Sequence, residues 1–208
     1  MRAETPLQIG VLASGRGSNL QAIIDAVENG DLNARIALVM SNKKESEALQ
    51  RARRAGIPAE YLDPNDFTDR VSYDHVLAGR FQQATVGLVV LAGYMRLVTS
   101  ALIEPFRHRI INIHPSLLPS FPGLRAHRQA LDHGVKISGC TVHFVEDEPD
   151  QGPIFLQACV PVLEKDTEET LSERILIQEH RLLLHAIRLF GRAGVCFDGR
   201  RVLIKEDG

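Results

Sequence analysis

Residues 110–123, I-I-N-I-H-P-S-L-L-P-S-F-P-G, join a β-branched run to an asparagine, a histidine and, over the next eight positions, three prolines. Side chains alternate along a strand, so Ile111 and Ile113 share one face while Asn112 and His114 share the other. Pro115 cannot donate to a sheet ladder and keeps the residue before it extended, which sets His114 at a strand's end. In a parallel sheet that end opens on the ligand crevice. An imidazole beside a carboxamide there offers a proton-handling group next to a neutral hydrogen-bond donor. A histidine and an asparagine that only cap the following turn would show the same pattern.

Two other stretches carry chemistry. Residues 7–13, L-Q-I-G-V-L-A, read as a buried strand followed by S-G-R-G-S-N-L and a helical pattern at Leu20, Ile23, Ile24 and Val27. Gly15 and Gly17 permit a tight turn, and Ser18 or Asn19 would cap the helix, leaving N–H groups and a positive dipole end for an anion. Leu20 stands where a dinucleotide fingerprint needs its third glycine, and no Gly-Lys-Ser/Thr follows for a P-loop. A monophosphate ester suits so short a loop; a plain strand-to-helix turn is the alternative. The third stretch, D-E-P-D-Q-G-P, puts Asp150 at the tip of a turn set by Gly152 and Pro153. If Asp150 reaches His114, its charge favours the imidazolium and orients the ring. Asn112 would then donate to a developing oxyanion. That equipment serves acyl transfer to an amine, and neither G-x-S-x-G nor a Cys/His pair suggests a covalent intermediate.

The elements that must position these groups alternate. Strands are expected at residues 7–13, 34–40, 59–62 and 86–91, and helices after the first, at 45–55 and at 71–84. The run V-G-L-V-V-L at 86–91 reads as a central parallel strand covered on both sides. After it, Tyr94, Met95, Leu97 and Val98 would line an apolar slot for a flat ligand, or lie in the core. Right-handed crossovers make this a doubly wound, mostly parallel α/β sheet, Rossmann-like, with Ile110–His114 as a fifth parallel strand. Runs at 137–146 and 154–163, joined by a short loop at 147–153, can only pair antiparallel. A long helix at 170–190, opened by D-T-E-E, and a hairpin at 195–204 around Asp198-Gly199 complete the chain. No linker or repeat appears, so a single domain of 1–208 is expected. Its N-terminal half would be about 7–107, its C-terminal half about 108–190 and its tail 191–208.

The 208 residues carry 44% hydrophobic and 24% charged side chains and a net charge of −2, an ordinary globular composition. The slight acidity argues against nucleic-acid binding. Apolar runs are too short to span a bilayer, and residues 1–6 lack a signal-peptide core, so a cytoplasmic protein is expected. Cys140, Cys159 and Cys196 form no C-x-x-C pair and read as reduced, mostly buried thiols. The eight histidines contain no H-E-x-x-H, and no metal is expected.

In order, V-L-A-S-G-R-G-S-N-L-Q-A-I-I, S-N-K, L-A-G-Y-M-R, I-N-I-H-P-S-L-L-P-S-F-P-G, H-R-Q-A-L, G-C-T-V-H-F-V, D-Q-G-P-I and Q-E-H resemble the phosphoribosylglycinamide formyltransferase family, over about residues 7–190. The N-x-H-P-S-L-L-P segment marks the wider formyltransferase superfamily, and the S-G-x-G-S-N loop narrows it. The resemblance implies transfer of the formyl group of 10-formyltetrahydrofolate, as co-substrate, to the amine of glycinamide ribonucleotide. It implies Asn112, His114 and Asp150 as catalytic trio, with Asn112 and protonated His114 at the oxyanion and Asp150 raising the histidine's pKa. It places Gly15, Gly17, Ser18 and Asn19 at the phosphate and Glu179 at the ribose. Arg70, Met95, Arg96, Leu97 and Val98, with Asn112, fall on the folate side. Gln151, in place of a glycine, and Arg125, in place of a frequent histidine, depart from the family pattern and bear on loop geometry.

Within the superfamily, a 10-formyltetrahydrofolate hydrolase would carry an N-terminal regulatory domain, for which a strand starting near Leu7 leaves no room. A methionyl-tRNA formyltransferase would carry a basic C-terminal RNA-binding domain. A non-catalytic folate- or nucleotide-binding protein is a further alternative that retention of the trio disfavours. Small-molecule substrates and a monomer or homodimer are expected.

Overall fold

The first strand, β1 (Leu7–Leu12), is apolar on both faces because both are covered: Ile9, Val11 and Leu12 are fully buried. The computed structural model describes residues 5–192 and 194–205, which fall in two compact units, Met1–Ile111 and Asn112–Gly208. Residues 1–4, on which part of the reading of the N-terminus rests, lie outside the described residues.

In the first unit β1 is followed by α1 (Ser18–Glu28), β2 (Ala34–Ser41), α2 (Glu47–Arg54), β3 (Ala59–Tyr61), α3 (Arg70–Gln83), β4 (Leu88–Leu91) and α4 (Ser100–Ile103). The strands lie in the order β3-β2-β1-β4, and the β1–β2, β1–β4 and β2–β3 pairings are all parallel. This is the expected doubly wound arrangement, with crossovers forced by parallel pairing. Leu20, Ile23 and Ile24 bury one face of α1. The Ser46 side chain caps α2 by accepting from the Leu49 N–H, 3.3 Å. Asp69 and Ser72 form a reciprocal capping box on α3. Strand β4 is two residues shorter than the apolar run around it, and α4, a single turn, has too few residues to show a helical period.

The division between the units falls inside β5 (Ile110–His114). In the second unit follow α5 (Ala126–Asp132), β6 (Ile137–Phe144), β7 (Ile154–Pro161), α6 (Glu168–Arg192) and the strands β8 (Gly194–Asp198) and β9 (Arg201–Lys205). The order is β5-β6-β7-β9-β8. The β6–β7 pair is antiparallel, as its short connection demands, with a register shift between Val142 and His143. The expected C-terminal hairpin forms, but β9 also pairs with β7, in parallel, at Ile154 and Arg201. Strand β9 is therefore part of the second unit's sheet. Helix α6 buries Leu171, Ile175, Leu183, Ala186 and Ile187, and with them Glu179. Leu176 and Leu182 are half-buried at the edges of that stripe.

The cysteines correct one expectation. All three are free thiols, yet only Cys140 is buried; Cys196 is half-buried and Cys159 exposed, because β7 alternates toward solvent there. Among the described residues no helix is long and apolar enough to cross a membrane.

Candidate active site

Asn112 and His114 leave β5 as alternation requires, and both meet groups from other stretches of the second unit. The His114 ring is buried. Its Nε2 donates to the Phe121 carbonyl at 2.9 Å, and its Nδ1 lies 3.5 Å from Oδ2 of Asp150. Both ring nitrogens thus face oxygens that only accept, and only a ring protonated on both can donate to both.

Asp150 reaches this position from the β6–β7 connection with its backbone in the left-handed region, φ 56°. Aspartate is one of the few non-glycine residues that visits it. Its Oδ2 also accepts from the Gly123 N–H, 2.8 Å, so the carboxylate ties the connection to the end of the proline-rich loop. Its Oδ1 lies 3.7 Å from Nε2 of His143. That same Nε2 is 3.1 Å from the amide nitrogen of Asn112, while Nδ1 of His143 contacts the Phe144 carbonyl at 3.0 Å. Burial holds His143 below the ordinary histidine value, outweighing the Phe144 carbonyl and Asp150, which favour its charge.

The loop between β5 and α5 is held by polar groups from the neighbouring strands. The Ser116 hydroxyl is shared between the carbonyls of Ser120, 2.6 Å, and Phe121, 3.2 Å, fixing the acceptor that His114 uses. Thr141 of β6 donates to the Ser116 carbonyl at 2.7 Å and accepts from the Leu118 N–H at 3.0 Å. Gln157 of β7 donates to the Leu118 carbonyl at 2.8 Å. The prolines in this loop remove backbone donors, and side chains supply the missing contacts.

In the first unit, Gly17 rather than Ser18 or Asn19 is the N-cap of α1, at φ 69°, and no side chain caps the helix. The expected side-chain cap is thereby corrected: the left-handed turn consumes the position. A Cβ on Gly17 would lie 2.8 Å from Ala48, so α1 and α2 meet backbone to backbone. The Gly15 carbonyl accepts from the Ala48 N–H, 3.2 Å, and the Arg16 carbonyl from Arg51 Nε, 2.8 Å. No side chain caps this first turn, which carries the positive end of the helix dipole. Ser14 joins this loop to the next: its hydroxyl donates to Asn42 Oδ1, 2.6 Å, and accepts from the Met95 N–H, 2.8 Å.

Met95 and Leu97 are exposed rather than core, Val98 is half-buried, and Arg70 opens α3 exposed. The Arg96 guanidinium stacks 5.0 Å from the Tyr73 ring. Arg96 lines a cavity of about 290 Å³ with Asn42, Lys43, Lys44, Tyr61 and Asp63. The hydrogen bond that Tyr61 makes with Asp63, with burial second, pushes the Tyr61 hydroxyl up to about 12. In the second unit, Glu179 lies buried on the inner side of α6. Burial first, and the charge of Glu179 second, push the Cys140 thiol up to about 12. Among the described residues no group of three or more His, Cys, Asp or Glu could hold a metal ion.

The structure thus brings Asn112, His114 and Asp150 together, and it ties Gly15–Asn19 to Met95 through Ser14. Sequence reasoning missed His143, whose place in G-C-T-V-H-F-V reads as a strand interior, and the Phe121 and Gly123 backbone groups. A polar residue on the strand neighbouring β5 was the available signal for His143.

The sequence pattern of the formyl transferase family matches residues 7–187. The trifunctional purine biosynthetic protein adenosine-3 of Homo sapiens is 41% identical over 202 residues, 96% of this chain but 20% of that protein. The chain spans about a fifth or less of such trifunctional relatives. Phosphoribosylglycinamide formyltransferase of Escherichia coli (strain K12) is 46% identical over 176 residues, covering 85% of this chain and 83% of the relative. The crystal structure of glycinamide ribonucleotide transformylase 1 from Symbiobacterium toebii matches with a TM-score of 0.96 at 53% identity, covering 98% of this chain and 96% of that one.

Proposed function

The chain belongs to the formyl transferase family, and on that premise we propose that it moves the formyl group of 10-formyltetrahydrofolate to the amine of N1-(5-phosphoribosyl)glycinamide. The products are the N-formyl nucleotide and tetrahydrofolate, a step of de novo purine synthesis. The observation that carries this reading is the meeting of a carboxamide, an imidazole and a carboxylate at the end of β5.

The amine nitrogen attacks the formyl carbon, whose oxygen takes the negative charge of a tetrahedral intermediate. Asn112 donates its amide hydrogen to that oxygen, and His114, held between Asp150 and the Phe121 carbonyl, places an imidazolium beside it. Direct donation by His114 exchanges the Phe121 carbonyl for the substrate oxygen. Collapse breaks the bond between the formyl carbon and the folate nitrogen, and the proton lost by the amine passes to that nitrogen, with Asp150 and His114 as relay. The uncapped turn at Gly15, Gly17, Ser18 and Asn19 takes the phosphate, and Glu179 the ribose. Arg70, Met95, Arg96, Leu97 and Val98, with Asn112, take the reduced folate. We take the chain to act as one catalytic domain, as a monomer or homodimer in the cytoplasm, on small molecules alone and without a metal.

Asp150→Asn tests the reading. Turnover should fall by about a hundredfold or more, while the dissociation constant of the phosphorylated amine, measured by calorimetry, stays within about twofold because Asp150 is not assigned to nucleotide binding. An unchanged kcat would remove the carboxylate from the mechanism.

A further inference from the structure

His143 is buried on β6 and makes two contacts that together determine its hydrogens. Its Nδ1 faces the carbonyl of Phe144 at 3.0 Å. A carbonyl only accepts, so Nδ1 carries the hydrogen. In the neutral ring Nε2 is then a bare acceptor, and the group 3.1 Å away on Asn112 must be the NH₂ end of its carboxamide. A flipped Asn112 would set its oxygen against a lone pair.

We propose that His143 is a positioning residue: as the Nδ1–H tautomer it fixes the orientation of the Asn112 carboxamide so that its second amide hydrogen is presented to the reacting formyl oxygen. The inference rests on the proposed formyl transfer and adds to it a fourth side chain, acting through Asn112 and not on substrate. It also explains the arrangement of charge. Asp150 Oδ1 lies 3.7 Å from His143 Nε2, and Asp150 Oδ2 3.5 Å from His114 Nδ1. A doubly protonated His143 would turn an N–H toward that carboxylate, compete with His114 for it and force Asn112 to flip. The groups facing His143 are Asp150, which favours its charge, and His114, which opposes it. Burial keeps the ring neutral, and the carboxylate remains with His114.

Two measurements test this. Nitrogen-15 chemical shifts of the His143 ring, read near neutral pH in the wild-type protein, should show a protonated Nδ1 and a bare Nε2. The opposite tautomer, or a charged ring, would overturn the inference whatever the protein's activity. The second compares variants in the formyl-transfer assay. His143→Asn keeps a donor near the Phe144 carbonyl but leaves nothing at Nε2; His143→Gln returns an acceptor near Nε2. The expected result is a kcat lowered roughly tenfold to a hundredfold in His143→Asn, with the KM for the amine within about twofold and most of the loss recovered in His143→Gln. A wild-type kcat in folded His143→Asn, or no recovery in folded His143→Gln, would reduce His143 to packing. A wild-type protein that transfers no formyl group at all would instead remove the proposed reaction, and the tautomer measurement would still stand by itself.

Discussion

A side chain at position 152 has nowhere to go: a Cβ on Gly152 would lie 1.8 Å from the Phe144 carbonyl oxygen. The glycine lets the turn close against β6 and so delivers Asp150 two positions earlier. Gly152→Ala is therefore expected to move the carboxylate and lower kcat roughly a hundredfold, with amine binding retained; activity within about twofold of wild type would mean the turn adapts. Neighbouring Gln151 is exposed and contributes its carbonyl to Arg200, which any residue supplies. Its departure from the family's glycine thus leaves the carboxylate in place. Arg125 is likewise mostly exposed, with one contact of 3.6 Å to Glu168. At this scale the sequence was informative where local geometry decides. Alternation aligned Asn112 with His114, and turn chemistry marked Asp150. His143 was hidden because its role depends on which strand lies beside β5, and alternation within one strand says nothing about its neighbour.

Among the elements, the β8–β9 hairpin bears on the site. Arg200, at its turn, donates to the Gln151 carbonyl at 2.5 Å, and Phe197 packs edge-on against Phe144 at 4.9 Å. The hairpin thereby braces both ends of the segment that carries Asp150. Arg200→Ala should lower kcat about threefold to tenfold, the scale of one lost hydrogen bond on a loop that must be placed accurately. An unaltered kcat would make the hairpin a scaffold only. The hairpin itself was legible from Asp198-Gly199 between alternating runs, but its parallel pairing with β7 was not, since it joins Ile154 to Arg201 across α6. Longer elements were read to within a few residues because burial on one or both faces imposes a period. The short helices α4 and α5 escaped because four and seven residues hold too little of one.

For the molecule as a whole, two histidines, buried His143 and half-buried His127, link stability to pH. Burial lowers both His143 and His127 below the ordinary value of 6.5. As pH falls through that value, the unfolded chain takes up protons that the folded chain resists, so stability is present above it and lost below. The melting temperature at about pH 5.5 should therefore lie beneath that at about pH 7.5; a rise on acidification would contradict the assignment. The alternating order of strands and helices was readable because parallel strands compel crossovers, and the change to antiparallel pairing because so short a connection allows nothing else. The reaction as a whole is tested most directly by following a labelled formyl carbon from 10-formyltetrahydrofolate with and without glycinamide ribonucleotide. The expected result is one label on the amine for each tetrahydrofolate released, and almost no formate when the amine is withheld. Formate released at the same rate whether or not the amine is present would contradict a transferase.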